Sequence, residues 1–274
     1  MTENGTQEPR RMFQRDRHLN GQAHVLGSAL RRWGSQALDL LLPPQCLISG
    51  QPVQAQGQIL PKYWQRIQFI GDPKCDLCGV PFPFDPGKDV LCAKCLAEEP
   101  VYDHARAAFV YNEFSRSMVL SLKHGDRMDG VRTYARWMAR ACDEFLPDCD
   151  MVIPVPLHYS RLHARRFNQS GLLGQSLSQQ TGLPFVPDLL KRRRRTPSQK
   201  GRDLKARRRN VKDAFEIGRR WTPALQDSSI LLVDDVLTTG ATVEACASAL
   251  KEAGAGHVHV VTLARVVALW RTPL

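Results

Sequence analysis

Residues 230–242, Ile-Leu-Leu-Val-Asp-Asp-Val-Leu-Thr-Thr-Gly-Ala-Thr, confine this chain to a small set of folds. Four successive apolar residues, Ile230 to Val233, leave no side of a strand polar, which suits a parallel strand covered on both faces. Asp234 and Asp235 come directly off the expected strand end, and the small residues Thr238, Thr239, Gly240, Ala241 and Thr242 form a loop that opens a helix. In parallel sheets flanked by helices, ligands bind at the carboxyl ends of strands, where helix N-termini present N–H groups to anions. Paired carboxylates beside such a cradle suit a ribose 5-phosphate. The acids accept hydrogen bonds from vicinal hydroxyls while loop N–H groups hold the phosphate.

Other acidic strand ends fit less well. A receiver domain places its acids near the start of the domain, yet only about 40 residues follow Asp234, against the ~100 a small domain needs. A Walker-B strand requires an upstream G-x-x-x-x-G-K-[ST], and none is present. Acids with a purely structural role remain the alternative.

The rest of the pattern agrees with a doubly wound, mostly parallel α/β sheet. Strands are expected at Ala107–Tyr111, Met151–Val155, Ala214–Ile217, Ser229–Val233 and His257–Leu263. Helices are expected at Ser115–Lys123, Met128–Phe145, Asn168–Gln180 (closed by Thr181-Gly182) and Thr242–Ala253. The chain divides into three parts: residues 1–44, a flexible tail with an amphipathic helix over about Val25–Leu42; residues 45–100, rich in Cys, Pro and Gly with little room for a core; and residues 101–274, the α/β domain. No apolar run has membrane-spanning length, and the polar start lacks a signal-peptide core, so a cytoplasmic protein is expected.

Charge is concentrated rather than spread. The formal net charge is +11, and residues 191–220 hold 14 of the 38 Lys/Arg and 3 of the 27 Asp/Glu. The remainder balances at 24 of each sign, so one segment carries the whole excess. Nucleic acid, or a pyrophosphate group in an active site, would each be a suitable partner. Residues 191–214 contain no aromatic residue, so base stacking there has no support and phosphate contact is what remains.

Cys75-x2-Cys78 and Cys92-x2-Cys95, separated by 13 residues, have the spacing of two zinc knuckles sharing one tetrahedral Zn2+. Such a site is closed and structural. Disulfides are the alternative, disfavoured in a reducing compartment. Cys142, Cys149 and Cys246 read as core thiols.

Taken together, the knuckles, Leu122-Lys123 with Gly125-Asp126, Pro154-Val155-Pro156-Leu157, Arg165-Arg166-Phe167-Asn168-Gln169, Thr196-x2-Gln199, Arg209-Asn210-Val211-x2-Ala214-Phe215 and the 230–242 loop resemble the ComF family of amidophosphoribosyltransferase-like proteins. The resemblance implies a type I phosphoribosyltransferase domain that binds 5-phosphoribosyl 1-pyrophosphate (PRPP) with Mg2+. Asp234 and Asp235 would hold the ribose hydroxyls and Thr238, Thr239, Gly240, Ala241 and Thr242 the 5-phosphate. Arg161 and Arg165 would lie on the pyrophosphate side, with Lys200 and Arg202 reaching it from a hood over residues Arg192–Arg209. Relatives commonly carry Arg-Gly-Phe-Asn-Gln, where this chain has Arg166 in place of the glycine. Many relatives begin with two zinc ribbons; Cys46, Ser49, Leu60 and Tyr63 look like the remains of the first, expected to bind no metal. A Mg2+-dependent phosphoribosyltransferase, a single-stranded-DNA or competence accessory protein, and a PRPP sensor are the functions this resemblance allows.

Overall fold

The computed structural model describes residues 43–124, 128–157, 167–193 and 214–267. The helix expected over Val25–Leu42 and the residues Arg161, Arg165, Arg166, Lys200 and Arg202 lie outside the described residues. Two short helices, α1 (Pro61–Trp64) and α2 (Ala93–Ala97), fall in the cysteine-bearing segment. They are followed by β1 (His104–Val110), α3 (Arg116–His124), α4 (Val131–Ala141), β2 (Met151–Pro154) and α5 (Gln169–Thr181). Next come β3 (Leu190–Arg192), β4 (Phe215–Ile217), α6 (Thr222–Leu225), β5 (Ser229–Leu237), α7 (Ala241–Glu252) and β6 (His257–Arg265).

The main sheet has the order β1-β6-β5-β2, and every pairing in it is parallel. Along β5 the side chains alternate between two apolar clusters. Ile230 and Leu232 join one with Val243, Ala247 and Leu250 of α7, whereas Leu231 and Val233 join the other with residues of α3, α4 and α5. Cover on both faces is the reason this run is continuously apolar in sequence. β5 continues four residues past its expected end, because β6 also runs on and supplies ladder partners: Asp234 pairs with Thr262 and Leu237 with Arg265. The acidic pair therefore lies inside the last part of the strand rather than beyond it. Thr181-Gly182 closes α5 as its sequence implies, with Gly182 left-handed at φ +77°.

Both outer strands are covered. Ile70 and Val110 N–H groups bond Ala108 and Gln68 carbonyls beside β1, and Val152 and Val186 exchange bonds with Pro184 and Val152 beside β2. Paired edges do not template association. β3 and β4 form a separate antiparallel hairpin base in which Leu190 pairs with Ile217 and Arg192 with Phe215. It brings the two ends of the basic stretch together. Among the described residues, no helix is long and apolar enough to cross a membrane.

The cysteine segment shares its core with the sheet. Cys75, Cys78 and Cys95 pack in the same cluster as Tyr102, Ala105, Val243 and Cys246. The contact is close at Gly79, whose φ is +67° and where an added Cβ would stand 2.3 Å from the Ala105 carbonyl oxygen. Ala105 N–H in turn donates to Leu77 O at 2.7 Å. A Gly79→Ala variant combines left-handed backbone strain with a backbone clash, and is expected to lose roughly 2–5 kcal/mol of stability. Gly87→Ala, at φ +96° with nothing within 4 Å of its Cβ position, should lose only about 1–2 kcal/mol. Denaturant unfolding of the two variants, side by side, checks this.

Candidate functional site

At the carboxyl end of β5, the chemistry-bearing side chains are held in place by neighbours. Asp234 Oδ1 accepts a hydrogen bond from Ser170 Oγ at 2.8 Å and another from the Asp235 N–H at 2.9 Å. Ser170 is buried in the first turn of α5, so this helix start helps to orient the carboxylate. Both aspartates are half-buried, consistent with carboxylates that reach a surface. The loop then turns through Gly240, left-handed at φ +88°, into α7. A residue with a Cβ would be strained there. Glu244 N–H is the first to bond back, to Gly240 O at 2.9 Å, and Ala241 N–H meets the Thr239 hydroxyl at 3.5 Å. The first N–H groups of a helix have no partner within it, and the helix dipole adds partial positive charge at the same spot. Thr238 is exposed, Thr239 and Thr242 half-buried, and Gly240 and Ala241 buried. Carboxylates, hydroxyls and N–H groups thus lie within one short stretch.

The neighbouring strand, β2, ends at Pro154, and Val155 N–H still bonds Val233 O at 2.8 Å. Asn168 stands at the N-cap position of α5 but makes no side-chain cap bond, contrary to the usual habit of Asn there. Its Nδ2 instead donates to Val155 O at 3.1 Å, and its Oδ1 is buried with no partner among the described residues. Asn168 therefore staples the loop after β2 to α5. Ser170 and Asn168 as positioning groups were not legible beforehand. Neither belongs to a spacing rule, and only the fold brings α5 beside β5.

Cys75, Cys78, Cys92 and Cys95 come together, each with its sulfur within 4.8 Å of the others. Four thiolates on Zn2+ at ~2.3 Å would stand about 3.8 Å apart, and Cys78 and Cys92 Sγ are 3.7 Å apart. The donor set therefore fits a closed structural zinc. A hydrogen bond from Cys78 lowers the Cys75 thiol against burial that raises it, and the same pairing together with burial raises Cys78. Arg265, buried at the end of β6, donates to Cys78 O and, at 3.3 Å, to Cys78 Sγ. A guanidinium beside a thiolate cluster offsets part of its negative charge.

The earlier segment has the same backbone pattern with a single thiol, Cys46. Cys46 N–H bonds Gln51 O and Gly50 N–H bonds Cys46 O, as Cys75 N–H bonds Val80 O and Gly79 N–H bonds Cys75 O. Leu60 N–H meets Cys46 Sγ at 3.4 Å, as Cys92 N–H meets Cys75 Sγ at 3.3 Å. Leu60 and Cys92 are the N-caps of α1 and α2. Burial works against a Cys46 thiolate, but bonds from Ser49 and Leu60 outweigh it and the net shift is downward. One thiol of four survives, and the turn stands on its hydrogen bonds.

A parallel sheet with helices on both faces, an acidic pair and glycine turn at a strand end, and an N-terminal cysteine ribbon define a phosphoribosyltransferase-type fold with a zinc-ribbon appendage. Residues 155–273 match the family described as Phosphoribosyl transferase domain, and residues 37–96 the family described as Double zinc ribbon domain. Competence protein F of Haemophilus influenzae is 31% identical over 70% of this chain and 85% of its own length. DNA utilization protein YhgH of Escherichia coli is 31% identical over 83% of this chain and 100% of its own. Competence protein ComFC of Bacillus subtilis is 24% identical over 70% of this chain and 77% of its own. The chain belongs to the ComF family. Among solved structures, a glutamine PRPP amidotransferase from Bacillus subtilis is similar over 53% of this chain and 30% of its own at 20% identity and TM-score 0.35.

The two knuckles make opposite claims on metal. Purified protein is expected to carry one Zn2+ per chain by elemental analysis and to lose it on Cys78→Ser, while Cys46→Ser leaves the metal content unchanged. Two ions per chain would show that the first knuckle also binds.

Proposed function

We propose that this protein binds PRPP with Mg2+ and transfers the phosphoribosyl group to a nucleophilic acceptor. The observation that carries this reading is the Asp234 carboxylate, oriented by Ser170 on the strand that leads into the Thr238–Thr242 turn and the start of α7. In such a transfer the bond from C1 of the ribose to pyrophosphate breaks, positive charge develops on the ring, and negative charge develops on the leaving group. Asp234 and Asp235 would accept the vicinal ribose hydroxyls and face the cationic ring, an electrostatic contribution that needs no movement at the moment of reaction. The turn and helix start would hold the 5-phosphate. Arg161, Arg165, Lys200 and Arg202 are assigned to the pyrophosphate side. Mg2+, a hard cation that keeps several waters and binds carboxylate and phosphate oxygens, would supply charge neutralisation at the pyrophosphate. The names of the relatives, competence protein and DNA utilization protein, support a role for this chemistry in the handling of DNA, and the cytoplasm is the compartment we assign to it.

Calorimetry of PRPP with Mg2+ tests the reading. Wild type should bind and Asp235→Asn should bind at least about tenfold more weakly, the worth of one hydrogen bond to a charged group. Equal binding by both would rule the site out. Pyrophosphate released with amines, bases or nucleic acid as acceptor would then separate an enzyme from a sensor.

A contact with single-stranded DNA has support from a different region. Trp64, Phe69 and Trp137 lie 5.2–5.7 Å apart between ring centroids. They line a cleft of about 600 Å³ whose charged members are Lys74, Arg106 and Arg140 with Asp72 and Asp143, Lys74 being paired with Asp72 and Arg106 with Glu144. Trp64 is 47% exposed and Phe69 38%, an unusual exposure for large apolar rings. Aromatic faces beside cations are how sequence-tolerant single-strand binding works. Filter binding should show affinity for single-stranded DNA at low salt that drops about tenfold in Trp64→Ala, one stacked base being worth ~1–3 kcal/mol. No affinity at low salt would remove this reading.

A further inference from the structure

The zinc knuckle reaches the phosphate loop through one side chain. Lys94 stands in α2 between Cys92 and Cys95, two of the four thiols that converge. Its Nζ donates to Thr239 O at 3.0 Å, inside the Thr238–Thr242 turn. It also lies 3.8 Å from the position a Cβ would take on Gly240. A second bond fastens the same region: Val101 N–H donates to Glu244 Oε2 at 2.9 Å, in the first turn of α7. A third ties the metal site to the strand beside the loop, since Arg265 contacts Cys78 and pairs in register with Leu237, the residue before Thr238.

An exposed lysine is normally a mobile point charge with about 2 kcal/mol of rotamer entropy. Lys94 is held at both ends, its backbone by flanking thiol ligands and its ammonium by the Thr239 carbonyl. An ammonium has three donors, and the carbonyl takes one of them. The nitrogen stands 3.8 Å from where a Cβ would be on Gly240, the N-cap of α7. An anion received by the helix start would meet this cation as well.

We propose that Lys94 is a direct ligand of the sugar 5-phosphate, which makes the zinc knuckle part of the phosphate site. This rests on the ribose-phosphate reading above and goes beyond it, for it assigns a role to the ribbon that the phosphoribosyltransferase portion lacks. Zinc bound by Cys92 and Cys95 fixes the helix that presents the ammonium, so metal occupancy and phosphate affinity are linked. Linkage is reciprocal: a bound sugar phosphate must hold the metal more firmly.

The test uses full-length zinc-loaded wild type, Lys94→Met and Lys94→Arg, each checked for metal content. Titrants are ribose 5-phosphate, PRPP with Mg2+, and inorganic pyrophosphate with Mg2+. Lys94→Met should bind ribose 5-phosphate and PRPP about tenfold or more weakly, with pyrophosphate affinity unchanged and Lys94→Arg recovering most of the loss. Saturating ribose 5-phosphate should slow zinc release to a chelator in wild type and not in Lys94→Met. Equal ribose 5-phosphate affinity in wild type and Lys94→Met overturns the assignment, and so does an equal drop for pyrophosphate. A wild type that binds PRPP with full affinity alongside such a Lys94→Met result leaves the ribose-phosphate reading standing, whereas a wild type that binds no PRPP removes both.

Discussion

A strand buried on both faces can end in charge only if the fold supplies partners for that charge, and β5 is built around this constraint. From Ile230 through Val233 it is fully apolar, and the two sides of the sheet are closed by α7 on one face and by α3, α4 and α5 on the other. The next residue, Asp234, is still inside the ladder. Its carboxylate is tolerated because Ser170 and the Asp235 N–H satisfy one oxygen. Ser170 can do so only because α5 begins just beyond β2, and β2 lies next to β5. Sheet order, helix placement and carboxylate orientation are therefore one arrangement, and the proposed sugar-phosphate site rests on it.

The ribbon is fitted to the same arrangement. It has no independent core; its cysteines share a cluster with α7 and the start of β1. Gly79 lets the knuckle turn lie directly on the Ala105 carbonyl. Arg265 then connects the thiols to the end of β6, next to the residue that leads into the loop. The cysteine cluster and the Thr238–Thr242 loop both contact β6 and α7. The first knuckle shows what remains when the thiols go. Its hydrogen-bond pattern persists around Cys46 and Leu60, and its following segment covers the β1 edge.

Much of this was legible from residue order alone. The continuous apolar run of Ile230–Val233, the Thr181-Gly182 stop and the x2 spacings of Cys75 to Cys95 each encode a local rule, and the structure obeys all three. What was hidden depends on elements distant in sequence. The extension of β5 to Leu237 is set by the length of β6. Asn168 looks like a cap but bonds Val155 O, because the loop after β2 passes beside it. Ser170 is separated from Asp234 by 64 positions and Lys94 from Thr239 by 145, and no periodicity connects either pair. Local chemistry names the acids, and only the sheet order names what holds them.

The most direct measurement is a crystal structure of the zinc-loaded protein with ribose 5-phosphate bound. The account predicts phosphate oxygens about 3 Å from N–H groups of the Thr239–Thr242 stretch, and the ribose hydroxyls on Asp234 and Asp235. Density for the sugar phosphate anywhere else, with those two carboxylates untouched, would contradict it.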